Sequence, residues 1–191
     1  MNPSPDPQPT PPWRHDRPTV ALHWTLALLI TGMAAVGWYM MAIEDTPGSS
    51  WYFDQHKSVG LVVALLVVLR LAWRLGPGSK APAPASPTWQ DKLAKAVQGL
   101  LYGVMVLIPI AGFLGASYSK SGVAWFGLPT PRWALPDHDQ AEWFFGLHSV
   151  LVWVLVAGLA LHVLGALKHR FIDRDSVLQR MGWGRSTPRS P

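Results

Sequence analysis

The chain alternates between long apolar runs and polar segments rich in proline or charge. The four apolar runs cover residues 20–41, 59–75, 97–116 and 144–167. A helix needs about 20 apolar residues to cross a hydrocarbon core about 30 Å thick. Three runs reach that length, and the second reaches it if its helix begins near Lys57, whose ammonium can snorkel to the interface. The pattern predicts an all-α integral membrane protein, a bundle of four transmembrane helices.

The polar segments divide the chain around this predicted bundle. Residues 1–18 are rich in proline and predict a disordered arm, 19–172 predict the four-helix membrane domain, and 173–191 predict a basic tail. A Pro/Ala-rich stretch at 76–88 predicts an extended linker between the second and third helices. Pro109 predicts a kink in the third helix. Gly112 and Gly115 after it favour tight helix packing or leave room for a flat ligand.

Charge predicts the orientation of this bundle. Of the 16 lysines and arginines, all but Lys57, Lys120 and Arg132 lie in the N-terminal arm, the second connection and the tail. The positive-inside rule therefore places both termini in the cytoplasm and predicts a multi-pass protein of the bacterial inner (cytoplasmic) membrane. The net charge of +5 is then a topology signal, with membrane lipid and no nucleic acid as partner. Because the chain has no cysteine, disulfides, cysteine-ligated iron–sulfur clusters and covalently attached haem are excluded.

Histidines inside or at the ends of the apolar runs are the candidate chemistry. Ionisable side chains are costly in a bilayer and mark functional sites there. His23 and His162 lie toward the cytoplasmic face and form the predicted inner pair, whereas His56 and His148 form the predicted outer pair. His148 and His162 are 14 residues apart, close to four helical turns, so they share a face about 21 Å apart. The spacing predicts two metal centres stacked along the fourth helix.

Several chemistries compete for these positions. Zinc prefers four ligands in one tetrahedral cluster, so separated pairs favour two bis-histidine b haems, bound without thioether links. Any single histidine is about as well explained as a hydrogen-bonded packing residue. Methionines could instead supply one ligand of a His/Met haem. If the histidines form the ligand pairs, the methionines are better explained as side chains that fill gaps in the packing. Basic residues at the predicted cytoplasmic ends of the helices can bind lipid phosphate or haem propionate, and lipid phosphate is favoured. These residues are Arg70, Arg74, His169 and Arg170.

At these residues the chain resembles a known family. The matching stretches are "ALHW" (21–24), "HKSVGLVVALLVVLRLAWR" (56–74), "LLYGVMVLIPIAGF" (100–113) and "GLHSVLVWVLVAGLALHVLGALKHRFIDRD" (146–175). In their order and spacing they are similar to the bacterial cytochrome b561 family of four-helix dihaem membrane proteins. The resemblance implies axial haem ligation by the four histidines of the two pairs. Many members carry histidines at the cytoplasmic start of the third helix, where this chain has Lys95 and Gln98.

What the resemblance implies is a dihaem b-type cytochrome that transfers electrons between an outer-face donor and the quinone pool. Some members resemble superoxide oxidases that reduce ubiquinone, so superoxide or a periplasmic partner is the expected donor, and ubiquinone or another quinone the substrate. Two alternatives stay open: a cytochrome b subunit anchoring a dehydrogenase or hydrogenase, and a non-redox four-helix membrane protein. Because superoxide is an anion, its expected access is through the outer cations Lys57, Lys120 and Arg132, although six acidic residues surround them.

Overall fold

Four long helices build the protein, which we describe from a computed structural model covering residues 13–76, 88–175 and 177–182. They are α1 (Arg17–Ala42), α2 (Ser49–Leu75), α3 (Trp89–Tyr118) and α4 (His138–Phe171), and a short α5 (Val177–Arg180) follows. Strands β1 (Ala124–Trp125) and β2 (Leu128–Pro129) form a small antiparallel hairpin between α3 and α4. The four long helices are long and apolar enough to cross a membrane, which confirms the predicted number of spans.

The helices extend beyond the apolar runs that predicted them. α2 begins at Ser49 rather than near Lys57, so its 27 residues remove the concern that the second run was short. The segment before the third run is continuous with α3, whose start has a capping box: the Thr88 hydroxyl accepts from the Asp91 N–H, and the Asp91 carboxylate accepts from the Thr88 N–H. At the N-terminus α1 already begins at Arg17, inside the segment expected to be a disordered arm.

Parts of three predicted segments lie outside the described residues. These are 1–12 of the N-terminal arm, 77–87 of the Pro/Ala linker, and 176 with 183–191 of the tail. The connection between α3 and α4 is shorter than the polar stretch between the third and fourth apolar runs, because α4 starts at His138, where Asp137 caps it by accepting from the Gln140 N–H. The loop that remains is folded back on α2. There the Phe126 N–H donates to the Ser58 hydroxyl, at 2.9 Å, and Ser58 is only 1% exposed.

Packing is uneven around the bundle. α3 and α4 pack along their length, α1 packs on α2, and α2 packs on α3, but within the described helices no comparable backbone packing joins α1 or α2 to α4. One buried apolar cluster lies between α1 and α2 and contains Leu26, Val63 and Val67, and further buried side chains lie on α3 and α4. Large apolar side chains cover the outside of all four long helices, as expected for surfaces that face lipid. The interface between the α1/α2 pair and α4 is therefore a gap bridged by side chains.

Candidate metal centres

The two histidine pairs lie in this gap. The imidazole rings of His23 on α1 and His162 on α4 have centres 6.1 Å apart and planes inclined by 64°. The rings of His56 on α2 and His148 on α4 have centres 6.2 Å apart and planes inclined by 75°. The structure thus brings together the same partners that helix depth paired. We keep the names inner pair and outer pair for them.

The distance between the rings fits a metal ion held between them. A metal–imidazole bond is about 2 Å long, so two imidazoles on opposite sides of one metal have ring centres about 6 Å apart. Both pairs have this separation. Paired imidazoles are one of the ligand sets that hold haem iron, so each pair could hold a haem. Within the described helices, neither α1 nor α2 packs on α4 as extensively as α3 does.

The outer pair is oriented by contacts to α1 and α3. The His148 Nδ1–H donates to the Ile108 carbonyl at 2.9 Å, and because a carbonyl can only accept, the lone pair of the neutral ring is on Nε2. That is the tautomer a metal ligand needs, and such a bond fixes ring orientation. Gly112 makes room for this ring, since a Cβ there would lie 2.9 Å from His148 Nδ1. His56 Nδ1 is buried without a hydrogen-bond partner among the described residues, and this edge of the ring faces Gly37.

The inner pair carries a charged neighbour. Arg70 Nη2 donates to His23 Nδ1 at 3.0 Å, and Arg70 also lies 5.9 Å from the centre of the Tyr102 ring. Because a guanidinium only donates, His23 Nδ1 accepts here, and the proton of the neutral ring is on Nε2. Ligation of a metal through Nε2 by a neutral His23 would require the opposite tautomer, in which Arg70 could not donate to Nδ1. The guanidinium would then be free to pair with a carboxylate beside the centre.

The other predicted cofactor residues lie near the ends of α2 and α4. Arg74 donates to the Gln98 side chain at 3.2 Å and shares the Tyr102 ring with Arg70. His169 does not contact the inner pair; its Nδ1 lies 2.7 Å from an Asp175 oxygen and 3.3 Å from an Asp173 oxygen. Arg170 lies over the ring of its neighbour Phe171. Of the four, Arg70 is therefore the one that the structure places against a candidate ligand.

The three predicted donor-access residues converge on one outer loop. Lys57 Nζ lies 2.8 Å from an Asp54 carboxylate oxygen and 3.4 Å from the Gly122 carbonyl oxygen, so its charge is partly compensated. Arg132 donates to the backbone carbonyl of Lys120 at 3.0 Å, which ties the Arg132 side chain to the segment that contains Lys120. A small open cavity of about 180 Å³ lies under this loop, and Arg132 is among its lining residues.

Some site residues were missed by sequence reasoning. Gly37 had a usable signal, because it follows His23 by 14 residues, the same interval that separates the two ligands on α4. The Ile108 carbonyl and the contact of Arg70 with His23 had no comparable signal. A ligating histidine needs an acceptor for its other ring N–H, and the sequence left helix backbone carbonyls, Ser58 and Ser149 as candidates. His148 uses a backbone carbonyl, whereas Ser58 bonds the Asp54 carbonyl and the β1–β2 hairpin.

Fold and site together define a class: a multi-pass membrane protein with two pairs of histidines between its helices. The chain matches the profile of prokaryotic cytochrome b561 over residues 14–184 and belongs to that family. It is 31% identical to cytochrome b561 homolog 2 of Escherichia coli K12, over 89% of this chain and 92% of that protein. It is 29% identical to cytochrome b562 of Cereibacter sphaeroides, over 87% and 94%. It is 25% identical to a probable superoxide oxidase of Yersinia pestis, over 85% and 92%.

Family membership confirms the resemblance and the class of activity. Members of this family are haem b cytochromes, and the chain is accordingly an electron-transfer protein of bacterial membranes. Four apolar helices agree with a multi-pass position in lipid. The non-redox alternative is therefore not supported.

Proposed function

We propose that this chain binds two non-covalent b haems and transfers electrons across the membrane between an outer-face donor and the quinone pool. The observation that carries the proposal is the pair of histidine ring separations, 6.1 and 6.2 Å, at two levels of one bundle. His23 and His162 would hold the inner haem, and His56 and His148 the outer one. When bound, the haems supply reversible one-electron chemistry, and the protein supplies position and electrostatics.

The helices set the geometry of this transfer. α4 provides one ligand to each centre, so a single helix fixes their separation along its axis at about 21 Å. The bond from His148 to the Ile108 carbonyl holds the outer ligand in the metal-binding tautomer. Arg70 is proposed to turn from His23 to a propionate of the inner haem, where its charge would favour the reduced state. This role agrees with its half-buried position better than contact with lipid phosphate does.

The distribution of basic residues supports the proposed orientation. Both termini and the connection between α2 and α3 would be cytoplasmic, in the inner membrane, with residues 19–172 as the membrane domain between an arm (1–18) and a basic tail (173–191). The inner pair would then lie toward the cytoplasm and the outer pair toward the periplasm. Electrons could thus cross most of the hydrocarbon core between the two centres.

Haem content tests this proposal directly. Pyridine haemochrome analysis of the purified protein should give two haems per chain, and acid-acetone should extract both because no cysteine is present to attach them. A ratio of one haem per chain, or haem that resists extraction, would contradict the assignment. An anchoring role for a dehydrogenase or hydrogenase would instead appear as a soluble subunit that copurifies in equal amount from native membranes.

Superoxide is the second part of the proposal, as the donor. One relative is named a probable superoxide oxidase, and Arg132 and Lys120 are cationic residues on one loop, where the Arg132 guanidinium donates to the Lys120 backbone carbonyl. We place superoxide access at this loop, with Lys57 as a weaker contributor because Asp54 partly compensates its charge. Attraction of an anion weakens as salt screens it.

Stopped-flow reduction of the oxidised protein by superoxide at several ionic strengths distinguishes superoxide access through these cations from the use of another donor. Access through these cations predicts that the rate falls with added salt, and that Lys120→Glu with Arg132→Glu slows it and reverses the salt dependence. Lys95→Glu is the control, because Lys95 lies near the start of α3, on the predicted cytoplasmic side. A rate that rises with salt and ignores the outer charge reversals would favour quinol or a protein donor instead.

A further inference from the structure

The end of the described chain is docked on the start of α1. The Trp24 indole N–H donates to the Met181 carbonyl at 3.1 Å, and the His15 N–H donates to the Arg180 carbonyl at 3.1 Å. Gly182 adds a packing contact, since a Cβ at that position would lie 3.3 Å from the Val20 side chain. α5 is thus tied back to the opposite end of the chain. We call residues 177–182 the C-terminal clasp.

Trp24 connects this clasp to a candidate haem ligand. Its ring lies edge-on to the ring of His23, with centres 5.2 Å apart and planes inclined by 75°. Adjacent residues on a helix point in directions about 100° apart, so their side chains do not ordinarily face each other. The contact therefore depends on the rotamer of the Trp24 side chain. The bond to the Met181 carbonyl holds that rotamer in place.

The second contact to His23 is from Arg70, which donates to His23 Nδ1. A neutral His23 holding iron through Nε2 would carry its proton on Nδ1, and Arg70 could then no longer donate to that atom. Of these two ring contacts, the one from Trp24 is therefore left to define the plane of the inner imidazole. The Met181 carbonyl in turn holds the rotamer of the Trp24 side chain.

We infer that Trp24 is a positioning residue for the inner haem ligand and that the C-terminal clasp sets its orientation. The inference rests on the proposed ligation of a haem by His23. The C-terminal clasp, which contains no candidate metal ligand, would then control the angle between the inner imidazole planes. That angle is 64° in this structure. That angle governs the splitting of the iron d orbitals, so the clasp would tune the spectrum and the potential of the inner haem.

Electron paramagnetic resonance of the ferric protein reads this angle. Steeply inclined imidazole planes leave two d orbitals nearly equal in energy and give a low-spin signal with one very large g value. We expect Trp24→Phe, which keeps a ring but removes the N–H, to shift the inner-haem signal and its midpoint potential and to leave the outer signal unchanged. Deletion of residues 177–191 should produce the same shift. Because the deletion already removes the bond between Trp24 and Met181, adding Trp24→Phe to it should cause no further shift.

Trp73→Phe is the matched control. Trp73 donates its indole N–H to an Asp16 oxygen at 2.8 Å at the same end of the bundle. This control should retain both signals, and all variants should be compared at equal haem content. The inference would be overturned if the inner signal were unchanged in the deletion variant, even if Trp24→Phe failed to fold. It would also be overturned if the shift in the combined variant were the sum of the two single shifts. A wild-type protein lacking two low-spin bis-histidine signals would instead refute the proposed function.

Discussion

Gly112→Ala tests most directly whether the outer pair is built around a metal. A Cβ on residue 112 would lie 2.9 Å from His148 Nδ1 and 3.1 Å from its Cε1. Carbon atoms in contact prefer about 3.5–4.0 Å, so the imidazole has to retreat by about 0.5 Å or more. That displacement acts on the same nitrogen that donates to the Ile108 carbonyl at 2.9 Å. The methyl group therefore disturbs both the position of the ring and the bond that fixes its tautomer.

The size of the effect follows from that lost contact. Removing a hydrogen-bond partner of a ligating histidine lowers metal affinity about 10–100-fold, which corresponds to about 1.4–2.7 kcal/mol. We expect a loss in this range for the outer haem and a shift in its midpoint potential, with the inner haem unchanged. Alanine in place of glycine otherwise favours a helix by about 1 kcal/mol, so a general loss of fold is not expected.

Two further glycines provide graded controls for this experiment. A Cβ at Gly37 would lie 3.4 Å from His56 Cε1, an ordinary contact, whereas one at Gly103 on α3 would meet nothing within 4 Å. Redox titration of the haem absorption should therefore rank the variants: Gly112→Ala strongly altered, Gly37→Ala slightly altered, and Gly103→Ala like the wild type. If Gly112→Ala behaved like Gly103→Ala, the outer ligand would not be where this reasoning places it.

Three other predictions concern the ligands, the charge beside them and the outer loop. Alanine at either histidine of the inner pair should remove one redox component, and alanine at either histidine of the outer pair the other; loss of the same component from both pairs would refute the pairing. Arg70→Gln should lower the potential of the inner haem more than Arg74→Gln does, because a nearby cation stabilises the reduced form; equal shifts would argue against a contact with Arg70. Ser58→Ala should destabilise the outer loop by about 1–3 kcal/mol by removing the partner of a backbone N–H. Limited proteolysis should then cut the loop faster than in Ser149→Ala, an exposed control; equal cleavage would show that Ser58 does not anchor it.

The amino-acid sequence alone determined the class of this protein. Four apolar runs require four spans because unpaired backbone polar groups are excluded from lipid, and the structure has four helices of sufficient length. Missing cysteines excluded covalent haem, and the 14-residue interval between His148 and His162 already implied two levels on one helix face. These conclusions depend on local periodicity and composition, which a sequence displays directly.

The tertiary structure decided which groups surround the histidines. The rotation of α3 against α4 determines that Gly112 and the Ile108 carbonyl meet His148, and the packing of α1 on α2 brings Arg70 to His23. The bond from Trp24 to Met181 joins residues 157 positions apart. Such contacts depend on helix rotation, axial shift and rotamers, which are properties of the packed chain. For this reason the sequence could name the candidate ligands but not the groups that orient them.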